Sequence, residues 1–115
     1  MLLADTSVWV DHFRRGNTAL VSLLNDGQVA THPFVIGELA CGNLRARRKI
    51  LALMAGLPRA VEVTHDEAMT FAESRHLPDR GLGWIDIHLL ASAAISNIAL
   101  WTLDRRLAAA ASRPK

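Results

Sequence analysis

Four short apolar runs, Leu2 to Ala4, Gln28 to Thr31, Ala60 to Val63 and Ile98 to Thr102, alternate with segments of helical period along the whole chain. That alternation is the strongest constraint on the fold. Strands joined by helix-length connections pair in parallel, whereas two-residue hairpin signals would impose antiparallel pairing. The pattern therefore predicts an α/β domain around a central, mainly parallel sheet. At 115 residues the chain suffices for one such domain, residues 1–115, with one sizeable core. Half of the residues are apolar and 21% are charged, the balance of a folded chain.

The helices are bounded by familiar stop and start signals. Ser7 is placed to cap a first helix through Phe13, which Gly16 ends, and a second runs from Thr18 to Asn25. Pro33 suits the first turn of a third helix over Phe34 to Cys41, followed by a basic helix from about Leu44 to Ala55. Asp66 and Glu67 favour the start of a helix reaching about His76. Segments Trp84 to Ser96 and Asp104 to Ala111 complete the set, and disorder is expected only in the tail, Ser112 to Lys115.

Against this background four isolated carboxylates stand out: Asp5, Glu38, Asp86 and Asp104, each in or beside an apolar segment. Asp5 and Asp104 follow the carboxyl ends of expected strands, where open parallel sheets form their ligand crevice. Glu38 is expected on a helical face with Phe34, Val35 and Cys41, where an unpartnered carboxylate would be costly. Asp86 opens a helix after the loop Asp79 to Gly83. A pocket holding all four acids is tolerable mainly with hard cations in it, and oxygen donors without a Cys set or a His pair favour Mg²⁺ or Mn²⁺ over zinc. The plain alternative is that Asp5, Asp86 and Asp104 merely favour helix starts and that Glu38 is a surface residue.

The remaining composition narrows the function classes. Thirteen basic residues against eleven acidic ones give a charge of +2, and only Lys49 and Lys115 are lysines. An arginine-dominated balance is compatible with phosphate and base contacts, and equally with a biased genome composition. Cys41 is the only cysteine and is expected as a small core residue, so there is no intrachain disulfide, and a reducing cytoplasm fits. No stretch approaches the roughly 18 uncharged apolar residues of a membrane span. There is also no phosphate-binding glycine loop, nucleophile elbow or His-Glu-x-x-His pair. The five histidines carry little promise as ligands. Trp9, Trp84 and Trp101 are each capable of stacking on bases, although Trp101 reads as core and Trp9 as buried or interfacial.

Asp5-Thr6-Ser7-Val8-Trp9 after an opening strand, Glu38-Leu39 on a helix, Gly83-Trp84-Ile85-Asp86-Ile87-His88 and Trp101-Thr102-Leu103-Asp104-Arg105-Arg106 together resemble the four acidic blocks of PIN-domain ribonucleases. The resemblance is greatest to the VapC-type toxins of bacterial toxin–antitoxin pairs. It implies a three-layer α/β/α fold and an RNA endonuclease dependent on Mg²⁺ or Mn²⁺. Asp5 and Asp86 would then be direct metal ligands, with Glu38 and Asp104 completing the cluster directly or through water. Thr6, Ser7 and Thr102 would orient the acids, and Arg105 and Arg106 would meet the RNA phosphates. The resemblance further implies a cognate antitoxin as partner and self-association as a homodimer. Two departures accompany it: Arg105 and Arg106 stand where many relatives have another acid, and the chain ends without the closing strand of longer members.

Two other functions remain open. One is an RNA- or partner-binding module with weak cleavage, which would not depend on the acids. The other is a phosphatase-like domain using Asp5 as nucleophile, a scheme in which the second Asp expected two residues later is replaced by Ser7.

Overall fold

The computed structural model describes residues 1–111. The expectations made for Ser112 to Lys115 lie outside the described residues. The chain runs β1 (Leu2–Ala4), α1 (Thr6–Arg15), α2 (Thr18–Asn25), β2 (Val29–Ala30), α3 (Pro33–Ala40), α4 (Arg47–Ala55), α5 (His65–Ser74), α6 (Trp84–Ser96), β3 (Ala99–Trp101) and α7 (Arg105–Ala111). The three strands form one parallel sheet in the order β2-β1-β3, with Leu2 opposite Val29 on one side and Ala99 on the other. The expected α/β architecture is therefore present, with the first strand in the middle.

Apolar patterning explains the placement of β1. Leu3 and Ala4 are completely buried, as befits a strand flanked on both edges and covered on both faces. Helices α1 to α4 contribute Val8, Trp9, Leu20, Val35, Leu39 and Met54 to one apolar cluster around β1 and β2. Helices α5 to α7 contribute Ala68, Ile87, Leu90, Ala91, Leu107 and Ala110 to a second, and Leu100 of β3 packs against both. No helix among the described residues is long and apolar enough to cross a membrane.

Three local expectations need correction. The strand expected over Ala60 to Val63 is reduced to an isolated bridge between Thr31 and Arg59, because the Val61 amide donates to Ser96 Oγ (2.8 Å) instead of to a neighbouring strand. Thr64 then begins α5 with a reciprocal cap: its hydroxyl accepts from the Glu67 amide while the Glu67 carboxylate accepts from the Thr64 amide. Ser7 is not the cap of α1; Asp5 is, accepting from the Ser7 amide at 3.0 Å. Cys41 lies exposed at the end of α3, since the inward stripe of that helix is Val35 and Leu39.

Candidate functional site

The carboxyl ends of β1 and β3 lie side by side, with Ala4 paired to Trp101, so the residues after each strand meet. Asp5, 6% exposed, receives three hydrogen bonds there. Its Oδ1 accepts from the Ser7 amide (3.0 Å) and from Ser7 Oγ (2.5 Å), and its Oδ2 accepts from Thr102 Oγ1 (2.8 Å). The two hydroxyls are themselves held: Ser7 Oγ accepts from the Leu103 amide (2.9 Å) and Thr102 Oγ1 from the Asp104 amide (3.0 Å). The turn after β3 thus grips two hydroxyls, and each hydroxyl spends its proton on one oxygen of Asp5. A carboxylate offers about four acceptor positions, so roughly one on Oδ2 stays open.

The other acids are arranged more loosely. Glu38 is exposed, its Oε1 accepting from Thr6 Oγ1 at 2.5 Å, and it shares an outward stripe with Phe34 and Cys41. The expectation of a Glu38 carboxylate enclosed by apolar groups is therefore corrected: Val35 and Leu39 take the inner face. Asp86 Oδ2 accepts from the Gly83 amide (2.9 Å) at the start of α6, and Asp104 Oδ1 accepts from the Leu107 amide (3.0 Å) at the start of α7. Three of the four acids thus serve the helix starts proposed as their plain explanation. In Asp86 and Asp104 that hydrogen bond uses one oxygen and leaves the other to take a cation, whereas both oxygens of Asp5 already accept.

Asp5 is linked to Asp104 through Thr102 and stands next to Glu38 through Thr6, while Asp86 has no hydrogen-bond link to the other three. Among the described residues, no three His, Cys, Asp or Glu side chains stand together as a group able to hold a metal ion. Nor do the ion pairs between described residues, Arg15 with Asp11 and Arg59 with Glu62, involve any of the four acids. Asp5, a buried carboxylate with one acceptor position open and no basic side chain among the described residues paired to it, could give one oxygen to a hard divalent cation. Arg105 and Arg106 are exposed at the mouth, on the first turn of α7. The Arg106 side chain reaches the loop before α6: a Cβ added to Gly81 would lie 2.9 Å from its Cδ, and Gly81 sits at φ +75°. Gly81 therefore satisfies both a left-handed turn and a close approach.

A row of aromatic rings went unrecognised in the sequence. His32, Phe34, His88, Trp84 and His65 follow one another with centroid spacings of 5.1, 4.9, 4.8 and 5.1 Å. The local signals were the four-residue spacing of Trp84 and His88 on one helix and the two-residue spacing of His32 and Phe34; the other two contacts join α6 to α3 and to α5. His32 is buried and caps α3, its Nδ1 accepting from the Phe34 amide at 3.0 Å. Burial holds its pKa below the ordinary 6.5; Glu62 pulls it upward, whereas His88 and Arg59 push it down. Protonating Nδ1 would also cost α3 its cap. Because the folded value is depressed, this contribution to stability is present above about pH 6.5 and is lost as pH falls through the folded value. Unfolding free energies measured at about pH 7.5 and about pH 5.5 are expected to fall less on acidification for His32→Asn, which keeps a capping oxygen, than for the parent chain. Equal slopes would show that His32 does not titrate differently in the two states.

The sequence pattern of the PIN domain matches residues 2–112. The chain is 46% identical over 111 residues to Ribonuclease VapC32 of Mycobacterium tuberculosis, in both strain CDC 1551 / Oshkosh and strain ATCC 25618 / H37Rv, covering 96% of this chain and 90% of that protein. The crystal structure of PAE2754 from Pyrobaculum aerophilum shares the fold, with a TM-score of 0.70 at 21% identity over 96% of this chain and 84% of that one.

Proposed function

The chain belongs to the PIN-domain family, and on that premise we propose that it is an endoribonuclease of the toxin type, dependent on Mg²⁺ or Mn²⁺ and neutralised by a cognate antitoxin in the cytoplasm. The observation that carries this reading is the bracketed Asp5: a carboxylate oriented through both oxygens, with an acceptor position open and no basic side chain among the described residues paired to it. The 46% identity to a protein named as a ribonuclease supports RNA as the substrate.

Asp5 and Asp86 would hold the ion, with Glu38 and Asp104 contributing directly or through water. When bound, it supplies a water of lowered pKa and a Lewis acid for the phosphodiester oxygens. The protein's own side chains do the rest. Ser7 and Thr102 keep the Asp5 carboxylate aimed. Thr6 steadies Glu38, and Arg105 and Arg106 draw the RNA backbone to the mouth by their charge and bidentate geometry. A covalent route through Asp5 has less support, since Oδ1 already accepts two hydrogen bonds and the position of the usual second Asp is Ser7.

The antitoxin reading also has a surface to rest on. A groove of about 570 Å³, lined by Val10, Phe13, Leu39, Leu44 and Ile50 with Arg14 and Arg45, opens beside Thr6 and Glu38. An apolar helix face would fill it, and a basic side chain at its end would meet the Glu38 carboxylate. A homodimer is part of the same proposal.

Purified, antitoxin-free chain incubated with total cellular RNA is expected to cut it with Mg²⁺ or Mn²⁺ and to stop cutting in excess chelator. Cleavage that persists in chelator would mark a contaminant or a metal-free reaction. Binding without cleavage at any metal concentration would favour the binding module.

A further inference from the structure

The three tryptophans of this chain have distinct environments. Trp9 is 4% exposed and stacked on Phe13 at 6.0 Å, and Trp101 is half-buried in β3 among core residues. Trp84 is 40% exposed although it begins α6, a helix whose following turns are buried. Its indole is nevertheless held in place: the buried His88 ring meets it edge-on at 4.8 Å and 86°, and His65 lies at 5.1 Å on another side. On the far side of His88, Phe34 makes a second edge contact at 4.9 Å and 71°, is itself braced by His32, and is 37% exposed.

Both exposed rings stand on the same helices as acids. Trp84 stands two residues before Asp86, and Phe34 one helical turn before Glu38 on the same outward stripe of α3. The guanidinium of Arg106 lies against Gly81, three residues ahead of Trp84. The Asp86 carboxylate turns back to accept from the amide of Gly83, the residue before Trp84, so that an aromatic ring, a carboxylate and an arginine come together around the start of α6. A purely apolar protein partner would have to desolvate those charges, whereas a nucleic-acid strand uses all three.

We propose that Trp84, with Phe34 beside it, is a stacking platform for an unpaired base next to the phosphodiester that is cut. This inference rests on the ribonuclease reading above. Every base has a π-face, so stacking tolerates sequence but requires that the base be free of its helix, because rings in a duplex are already stacked on each other. Bracing by His88 and His65 fixes the indole before RNA arrives, so less freedom is lost on binding.

The test combines cleavage with binding. For a short fluorescent single-stranded RNA in Mg²⁺ or Mn²⁺, Trp84→Ala is expected to raise KM by roughly 5- to 150-fold with kcat changed by less than that, and Trp84→Phe to recover most of the loss. The same RNA is expected to quench the tryptophan emission of the parent chain in chelator, where nothing is cut, and to quench Trp84→Phe much less. Thermal unfolding of each variant separates a collapsed fold from a lost contact. An unchanged KM in a folded Trp84→Ala, or equal quenching of parent and Trp84→Phe, overturns the platform. If the parent chain quenches but never cleaves, the ribonuclease reading falls and takes with it the placement beside a cut phosphodiester; cleavage with no quenching overturns the platform alone.

Discussion

Asp5→Asn is expected to reduce RNA cleavage by at least about 10²-fold while the protein stays folded, because it separates the two roles that Asp5 has in the structure. Asparagine caps a helix start about as well as aspartate, so the acceptance from the Ser7 amide survives. What is lost is the negative charge and the acceptor oxygen facing Thr102. Asp5→Ala is the harsher control, losing the cap as well at a cost of about 0.5–2 kcal/mol. Cleavage rates and thermal midpoints of the two variants, read together, decide the matter. A fully active Asp5→Asn would reduce Asp5 to a cap, and the proposed metal centre would lose its anchor.

Thr102→Val is expected to cost about 1–3 kcal/mol of stability and, in the protein that remains folded, to lower cleavage by roughly 10- to 100-fold. Valine keeps the shape and removes the hydroxyl that donates to Asp5 Oδ2 and accepts from the Asp104 amide. A buried carboxylate oxygen and a backbone amide are then left short of a partner at once. Thr102→Ser, which restores the hydroxyl without the methyl group, is expected to return most of the activity. Denaturant unfolding of both variants alongside their cleavage rates distinguishes the outcomes; a Thr102→Val as active as the parent would show that Asp5 needs only Ser7 to hold it.

Much of this was legible along the chain because it is local. Leu2 to Ala4 could be read as a buried strand from three apolar residues stopped by an acid, and α2 and α6 from apolar spacing between their caps and stops. Asp5, Asp86 and Asp104 were legible as acids at strand ends and helix starts, since both positions leave a mark in sequence. The run Ala60 to Val63 misled because β-branched residues signal a strand only when a neighbour accepts their amides, and Ser96, 35 residues away, takes that of Val61. Glu38 misled because Phe34 suggested an inward stripe, whereas Phe34 is itself exposed and part of the aromatic row.

By itself, then, the sequence determined the alternation of elements, the parallel sense of the sheet and the identity of the acids, all of which follow from periodicity and from chemistry within a few residues. Only the tertiary structure decided how the carboxylate is held. Pairing β1 with β3 sets Ala4 opposite Trp101, so that Ser7 and Thr102, 95 residues apart, both reach Asp5. It likewise decided that Trp84 is left facing solvent while Trp9 is enclosed. Hydrogen bonds and ring contacts between distant segments depend on where the backbone crosses, and no period or composition in the chain records that crossing.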